Sequence, residues 1–440
     1  CNWQYKGQTV RPKVIASSAT IRKAPQQIAS LFLRQTNIFP PNGLSIADNF
    51  FSRQRPPDEE NPGRLYLGIC APGARIKTVL IRVYVAALSA ARALYEKYGD
   101  KADPWMTLVG YFNSLRELGG MRRLTEDAVR TRLRQMDHRG MTNRLLDPSS
   151  IMELTSRVSA TDIPETLDRL GAVFDPRQEQ DRKSKTKAGK RVAPSSYPID
   201  ILLATNMISV GVDVPRLGLM VTAGQPKNTA EYIQATSRIG RRYPGLVITV
   251  YNWARPRDLS HYERFEHYHA TLYKQVEALS VTPFSARAID RGLTALLISY
   301  IRLLGDQFNK NDGAGNLDRN HPYVQTAIQQ ISKRAAMVTG DSNVETEVRL
   351  ELDQRIDHWL ARVSKLRNAG ANVGYRGKKD GRTLGLLDNP GSNQWDMFTC
   401  LMSLRDVEPQ VNLILNNFEA QSSNSASPDN DNSEAGDENA

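Results

Sequence analysis

Cysteine is scarce in this 440-residue chain: Cys1, Cys70 and Cys400 stand far apart and form no C-x-x-C pair. That excludes a disulfide framework and a zinc ribbon, and it suits a reducing cytoplasm. Long apolar runs are also missing. The longest, LTALLISYI at 293–301, is less than half of what a bilayer span needs and is followed at once by Arg302. No membrane role is expected. The chain opens on Cys1, without Met or an apolar signal segment, so something is expected to precede it. Basic residues vanish at the other end, where the last 25 residues hold six acidic side chains and no Lys or Arg. The net charge is +11, so residues 1–415 carry +17. That surplus favours a polyanionic partner. A 40% hydrophobic content leaves ample core for two or three domains.

The chain divides by pattern. VIASSAT (14–20) reads as a buried strand, and a helix-like stretch (21–35) and a Pro/Arg-rich connector follow up to residue 63. From 64 to 256, short apolar runs alternate with helical patterns. The runs are RLYLGIC (64–70), WMTLVGYF (105–112), IMELTS (151–156), DILLAT (200–205), LGLMVTA (217–223) and LVITVYNW (246–253). Between the first two, residues 78–98 carry an apolar helical stripe. Such strands spaced by helices predict an α/β fold, a parallel sheet with helices on both faces. The basic segment 177–192 has no apolar periodicity and reads as an inserted solvated loop. Residues 257–415 read as a helical domain, and 416–440 as a disordered acidic tail.

Two strings carry the chemistry, DILLATNMISVGVDVP (200–215) and EYIQATSRIGRR (231–242). Gln234, Arg238 and Arg241, spaced by four and three, share one helical face. Two guanidinium groups and an amide there suit a triphosphate, because guanidinium pairs bidentately with phosphate oxygens. His261, His267 and His269 do not share one helical face, and no metal site is expected from them. Tyr262 and Phe265 read as core, while Trp253 and Tyr268 are candidates for stacking on bases.

These strings resemble motifs V and VI of superfamily 2 helicases. SSAT (17–20) is similar to motif III, and YFNSLRE (111–117) to motif IV. The resemblance implies a RecA-like sheet over 64–256, with residues 1–20 as the end of a first RecA-like domain and 21–63 as a linker. It implies ATP and Mg²⁺ as cofactors and nucleic acid, with DNA favoured, as partner. Arg238 and Arg241 would act on the γ-phosphate, one as the arginine finger, with Gln234 in support. Gly211 would let backbone approach the nucleotide, and Asp213 would contact the ribose or tie motif V to motif VI. Ser114 and Thr205 would hold strand phosphates. Ser18 and Thr20 would couple nucleotide state to the bound strand.

The chain departs from that pattern in one respect: it contains no G-x(4)-G-K-[ST] loop and no D-E-x-H string. AGKRV (188–192) lies in the basic loop, and DEEN (58–61) in the Pro-rich connector. The β/γ-phosphate cradle and the Mg²⁺ ligands belong to a first RecA-like domain that is not here, so ATP hydrolysis is expected only when that domain is joined. MISVGVDVPRLGLMV, RDLSHYERFEHYHATLYKQVEALSVTPFS (257–285) and SLRDVEPQV (403–411) further resemble the helicase subunit of bacterial DISARM anti-phage systems. This implies a cytoplasmic role in phage defence with a companion subunit. The alternative is a non-catalytic nucleic-acid-binding subunit on a degenerate helicase fold.

Overall fold

Six strands form one all-parallel sheet in the computed structural model: β1 (Arg64–Cys70), β2 (Leu108–Phe112), β3 (Ile151–Leu154), β4 (Ile201–Ala204), β5 (Leu219–Ala223) and β6 (Gly245–Tyr251). The order across the sheet is β1-β6-β5-β2-β4-β3. The structure describes residues 3–401 apart from 19, 42, 46–49, 52, 54, 157, 159–161, 180–183, 185–196, 210–211, 379–380 and 390–394. Most of the basic loop, the 403–411 string and the acidic tail therefore lie outside the described residues.

Alternating side chains give the sheet two apolar faces. Leu108, Phe112, Leu203 and Val221 pack under α2 (Ile76–Tyr98) and α3 (Leu115–Leu124). Val109, Leu202, Met220 and Val247 pack under α4 (Ile163–Gly171) and α5 (Thr229–Thr236). Each Leu or Val withdrawn from water this way contributes ~1.5–3 kcal/mol before entropy. The expected sheet with helices on both faces is thus present. Ile76–Met106 is long and apolar enough to cross a membrane by length and composition. Here the helix lies on the sheet, with Leu80, Val83, Tyr84 and Leu88 buried.

Two expectations need correction. VIASSAT is not a strand: residues 11–18 are irregular, pair with no strand, and leave Ile15 86% exposed. A β-ladder requires a neighbour, and no described strand lies beside this run. The helix-like stretch expected at 21–35 is present as α1 (Ala24–Phe32). Tyr262, Phe265, His269, Leu272, Val276 and Leu279 lie at helical spacing in the sequence, which predicts one apolar stripe, yet they do not share one helix. The stripe breaks at Arg264 between α6 (Pro256–Glu263) and α7 (Phe265–Ala270), leaving Tyr262 and Leu279 exposed.

Beyond residue 285, α8 (Ala286–Leu304), α9 (Pro322–Thr339) and α10 (Asn343–Asn368) enclose a second core around Leu297, Ile331, Leu352 and Trp359. The Trp359 indole donates to Ala314 O at 2.9 Å. This region is not purely helical, because Asn372–Gly374 and Thr383–Gly385 pair as short parallel strands.

Candidate functional site

Motif V leaves β4 at Thr205 and returns along the sheet face that α5 covers. Met207, Ile208, Val212, Val214 and Leu217 pack there beside Ala235 and Ile239. Arg216 anchors the return. Its guanidinium grips the Asp103 carboxylate with two bonds of 3.0 Å and donates to Thr107 Oγ1 and Leu170 O, with both charged side chains buried. Asp103 also accepts from Phe174 N–H at 2.8 Å. This fixes the backbone three residues beyond Asp213.

The motif VI helix is capped by Asn228, whose Oδ1 accepts from Glu231 N–H at 2.7 Å. Its sheet-facing side is tied by hydroxyls. Tyr66 OH bonds Thr236 Oγ1 at 3.1 Å, Tyr232 OH bonds Thr249 Oγ1 at 3.0 Å, and Tyr111 OH donates to Glu231. Tyr232 also meets His269 Nε2 at 3.0 Å. His269 sits among the rings of Tyr66, Phe265 and Tyr268, and burial holds its imidazole below the usual range. Tyr268 is buried and bonded to Thr229 and Gln225, so it is not a surface for stacking bases. Trp253 is half-exposed, and its indole donates to Ala74 O.

The helix ends at Thr236, so Arg238 and Arg241 stand on the following turn and not on a helical face. Gly240 makes that turn at φ +69°, and a Cβ there would lie 2.8 Å from Gly245 Cα. We expect Gly240→Ala to cost at least the ~1–2 kcal/mol of a left-handed residue, with the backbone clash added. Gly119→Ala, inside α3 with open space around it, should instead stabilise by ~0.5–1 kcal/mol. Urea unfolding of both variants checks the pair. A Gly240→Ala chain as stable as the parent contradicts the turn assignment.

The two strings meet here. Arg238 donates to the carbonyls of Ser209 and Val212, at 2.9 Å for the latter, while its Nε is buried with no partner among the described residues. Burial, and then Arg241, lower its pKa, and Asp213 opposes them. Arg241 forms an ion pair with the exposed Asp213 and donates to Ser237 O at 3.2 Å. Gln234 Nε2 donates to Thr20 Oγ1 at 2.7 Å, which joins the motif VI helix to the SSAT string across 214 residues. Ser18 Oγ accepts from Thr20 N–H at 3.4 Å. Gly211 lies outside the described residues. A cavity of about 350 Å³ opens beside Asp213, lined also by Leu167, Asp168, Gly171, Val214 and Pro215.

The strand-binding candidates lie differently. Ser114 is half-buried and caps α3, its Oγ accepting from Glu117 N–H at 3.3 Å. Thr205 is buried, and its Oγ1 has no partner among the described residues. The structure does not offer that hydroxyl to a ligand on the outside. For ATP the chain has two cations, a guanidinium nitrogen with no partner among the described residues, and the adjoining cavity. For Mg²⁺ it has less: among the described residues no three His, Cys, Asp or Glu side chains are grouped to hold a metal ion.

Sequence reasoning missed Asp103, Thr229 and Glu277. The first meets Arg216 across 113 residues and the other two meet each other across 48, so no local pattern marks them.

Residues 175–243 match the helicase conserved C-terminal domain. Over 358 residues the chain is 42% identical to DISARM protein DrmA of Bacillus paralicheniformis, covering 80% of this chain. The chain spans about 30% of that relative's length. Among solved structures it is similar to the DUF1998 helicase MrfA bound to DNA, at 14% identity and a TM-score of 0.32, over 52% of this chain and 26% of that one. It is also similar to domain 2 of the DEAD-box helicase Mss116p bound to an RNA duplex, at 11% identity and a TM-score of 0.28, over 64% and 87%.

Proposed function

We propose, from the premise that this chain carries a superfamily 2 helicase C-terminal domain and is a relative of DISARM protein DrmA, that it supplies the arginine-finger half of an ATP-dependent nucleic-acid motor acting in phage defence. The observation that carries this reading is the meeting of three strings, Thr20 on Gln234 and Arg241 on Asp213, beside an open cavity. In this reading Arg241 leaves Asp213 to meet the γ-phosphate, and Arg238 keeps motif V beneath it. ATP with Mg²⁺ supplies the transferable phosphoryl group, and the cradle for it belongs to a preceding RecA-like domain. Guanidinium groups neutralise charge that spreads over the phosphoryl oxygens in the transition state.

Nucleic acid, DNA for preference, is the partner, with a companion defence subunit. The partner's phosphates meet Ser114 and the basic loop. Residues 177–191 hold seven Lys or Arg and two acidic side chains, and one of the two, Glu179, is paired with Arg92 at 2.8 Å. Each phosphate neutralised on a single strand adds ~0.7 to the slope of log K against log salt. With two or three cations engaged, replacing 177–191 by a short Gly/Ser linker lowers that slope by roughly 1.4–2.1. The loss is uniform across sequences, because phosphate contacts do not read bases. A salt titration with unchanged slope removes the loop from the interface.

A further inference from the structure

We propose that residues 276–279 form a clip that sets the motif VI helix and the motif III segment in one register, with Glu277 as a positioning residue for Arg238 and Arg241. The functional part of this inference rests on the helicase reading, whereas its geometric part does not.

The first nitrogens of α5 have no partner within the helix, as at any helix start. Asn228 satisfies one of them from inside the motif. Glu277, 48 residues on, satisfies another: both carboxylate oxygens accept from Thr229 N–H, at 3.0 and 2.9 Å, and Oε1 also accepts from Thr229 Oγ1 at 3.0 Å. A carboxylate at this end also complements the helix dipole. The contact extends into the sheet side of the site, because Gln225 Nε2 donates to Tyr268 OH, and Tyr268 OH to Thr229 Oγ1, both at 3.1 Å. Beside Glu277, Val276 is buried against Ala230 and Ile233 of the same helix.

The backbone of the clip faces the other segment. Val276 O accepts from Arg22 Nη1 at 3.2 Å, and Leu279 O from Gln27 Nε2 at 2.8 Å. Arg22 and Gln27 flank the start of α1, just after the Thr20 that meets Gln234. The far end of α1 is held by Arg334 of α9, which donates to Leu31 O at 2.6 Å. Val276, Glu277 and Leu279 thus touch both the start of the motif VI helix and the segment just after SSAT, and the helical region grips the same segment from behind. Glu277 itself is exposed, and what its carboxylate satisfies is the buried Thr229 at the start of α5. Its geometry serves the two segments.

The test uses Glu277→Ala and Glu277→Gln, which retains one acceptor. In the 440-residue chain, amide hydrogen exchange should speed by about fivefold or more over 229–236 and over 24–32 in Glu277→Ala. Strand β6 should be unchanged and Glu277→Gln intermediate. In the full-length protein, kcat for nucleic-acid-stimulated ATP turnover should fall about five- to tenfold while KM for ATP stays within twofold. Unchanged exchange overturns the clip. Faster exchange over 229–236 alone reduces Glu277 to a helix cap and overturns the register claim, as does unchanged kcat in an active enzyme. A full-length parent without ATP turnover defeats the helicase reading, and the exchange result still decides the clip.

Discussion

Arg241→Ala, made in the full-length protein, should lower nucleic-acid-stimulated ATP turnover at least a hundredfold, a barrier rise of ~2.7 kcal/mol. The residue sits on a turn, where its partners among the described residues are Asp213 and the Ser237 carbonyl. Its partner carboxylate is exposed, so the pair itself adds little to stability and is free to exchange for phosphate. Nucleotide affinity should therefore change little, and the loss should fall on kcat, where an interaction made in the transition state is read. Arg238→Ala should differ. Its guanidinium ties the carbonyls of Ser209 and Val212, so removing it loosens motif V and weakens nucleotide binding as well as turnover. Arg241→Lys keeps the charge and loses the bidentate fork, and should rescue only in part. Normal hydrolysis by both alanine variants contradicts the motif VI assignment.

Arg216→Ala should destabilise the chain by ~3–5 kcal/mol, because it leaves the Asp103 carboxylate buried without its cation. That is a large share of the ~5–15 kcal/mol that holds a typical domain. The guanidinium makes four bonds here, two to Asp103 and one each to Thr107 and Leu170, and its removal takes these donors from all three acceptor residues at once. Asp103→Ala should cost a similar amount by stranding Arg216. The double variant should cost less than the sum, since neither charge is then left buried alone. Urea unfolding measures all three. Additive losses contradict the pairing. Loss of Arg216 also frees the stretch bearing Asp213, so any variant that still folds should bind nucleotide poorly.

The sheet was legible because its strands are short apolar runs spaced by helices, and β1 matches its sequence range, 64–70, at both ends. Motifs V and VI were legible as strings, but helical spacing does not account for the grouping of the arginines. A helical face does not extend past Thr236, and it is Gly240 and the motif V carbonyls that bring Arg238 and Arg241 together. VIASSAT misled because apolar, β-branched residues report a preference for burial and not the presence of a neighbouring strand. The stripe after residue 256 misled for a related reason. His269 keeps its helical spacing yet packs on Tyr66 and Tyr232 after the break at Arg264, which periodicity alone does not signal. Asp103 and Glu277 were invisible because their partners are distant in sequence, and ordinary acidic residues carry no mark of such partners.

Whether this chain provides the finger without the phosphate cradle is decided by comparing ATP turnover of the 440-residue chain with that of the full-length protein, each with and without single-stranded DNA. Background hydrolysis is expected of the chain alone and DNA-stimulated turnover of the full-length protein. Turnover by the chain alone, or none by the full-length protein, would contradict that reading.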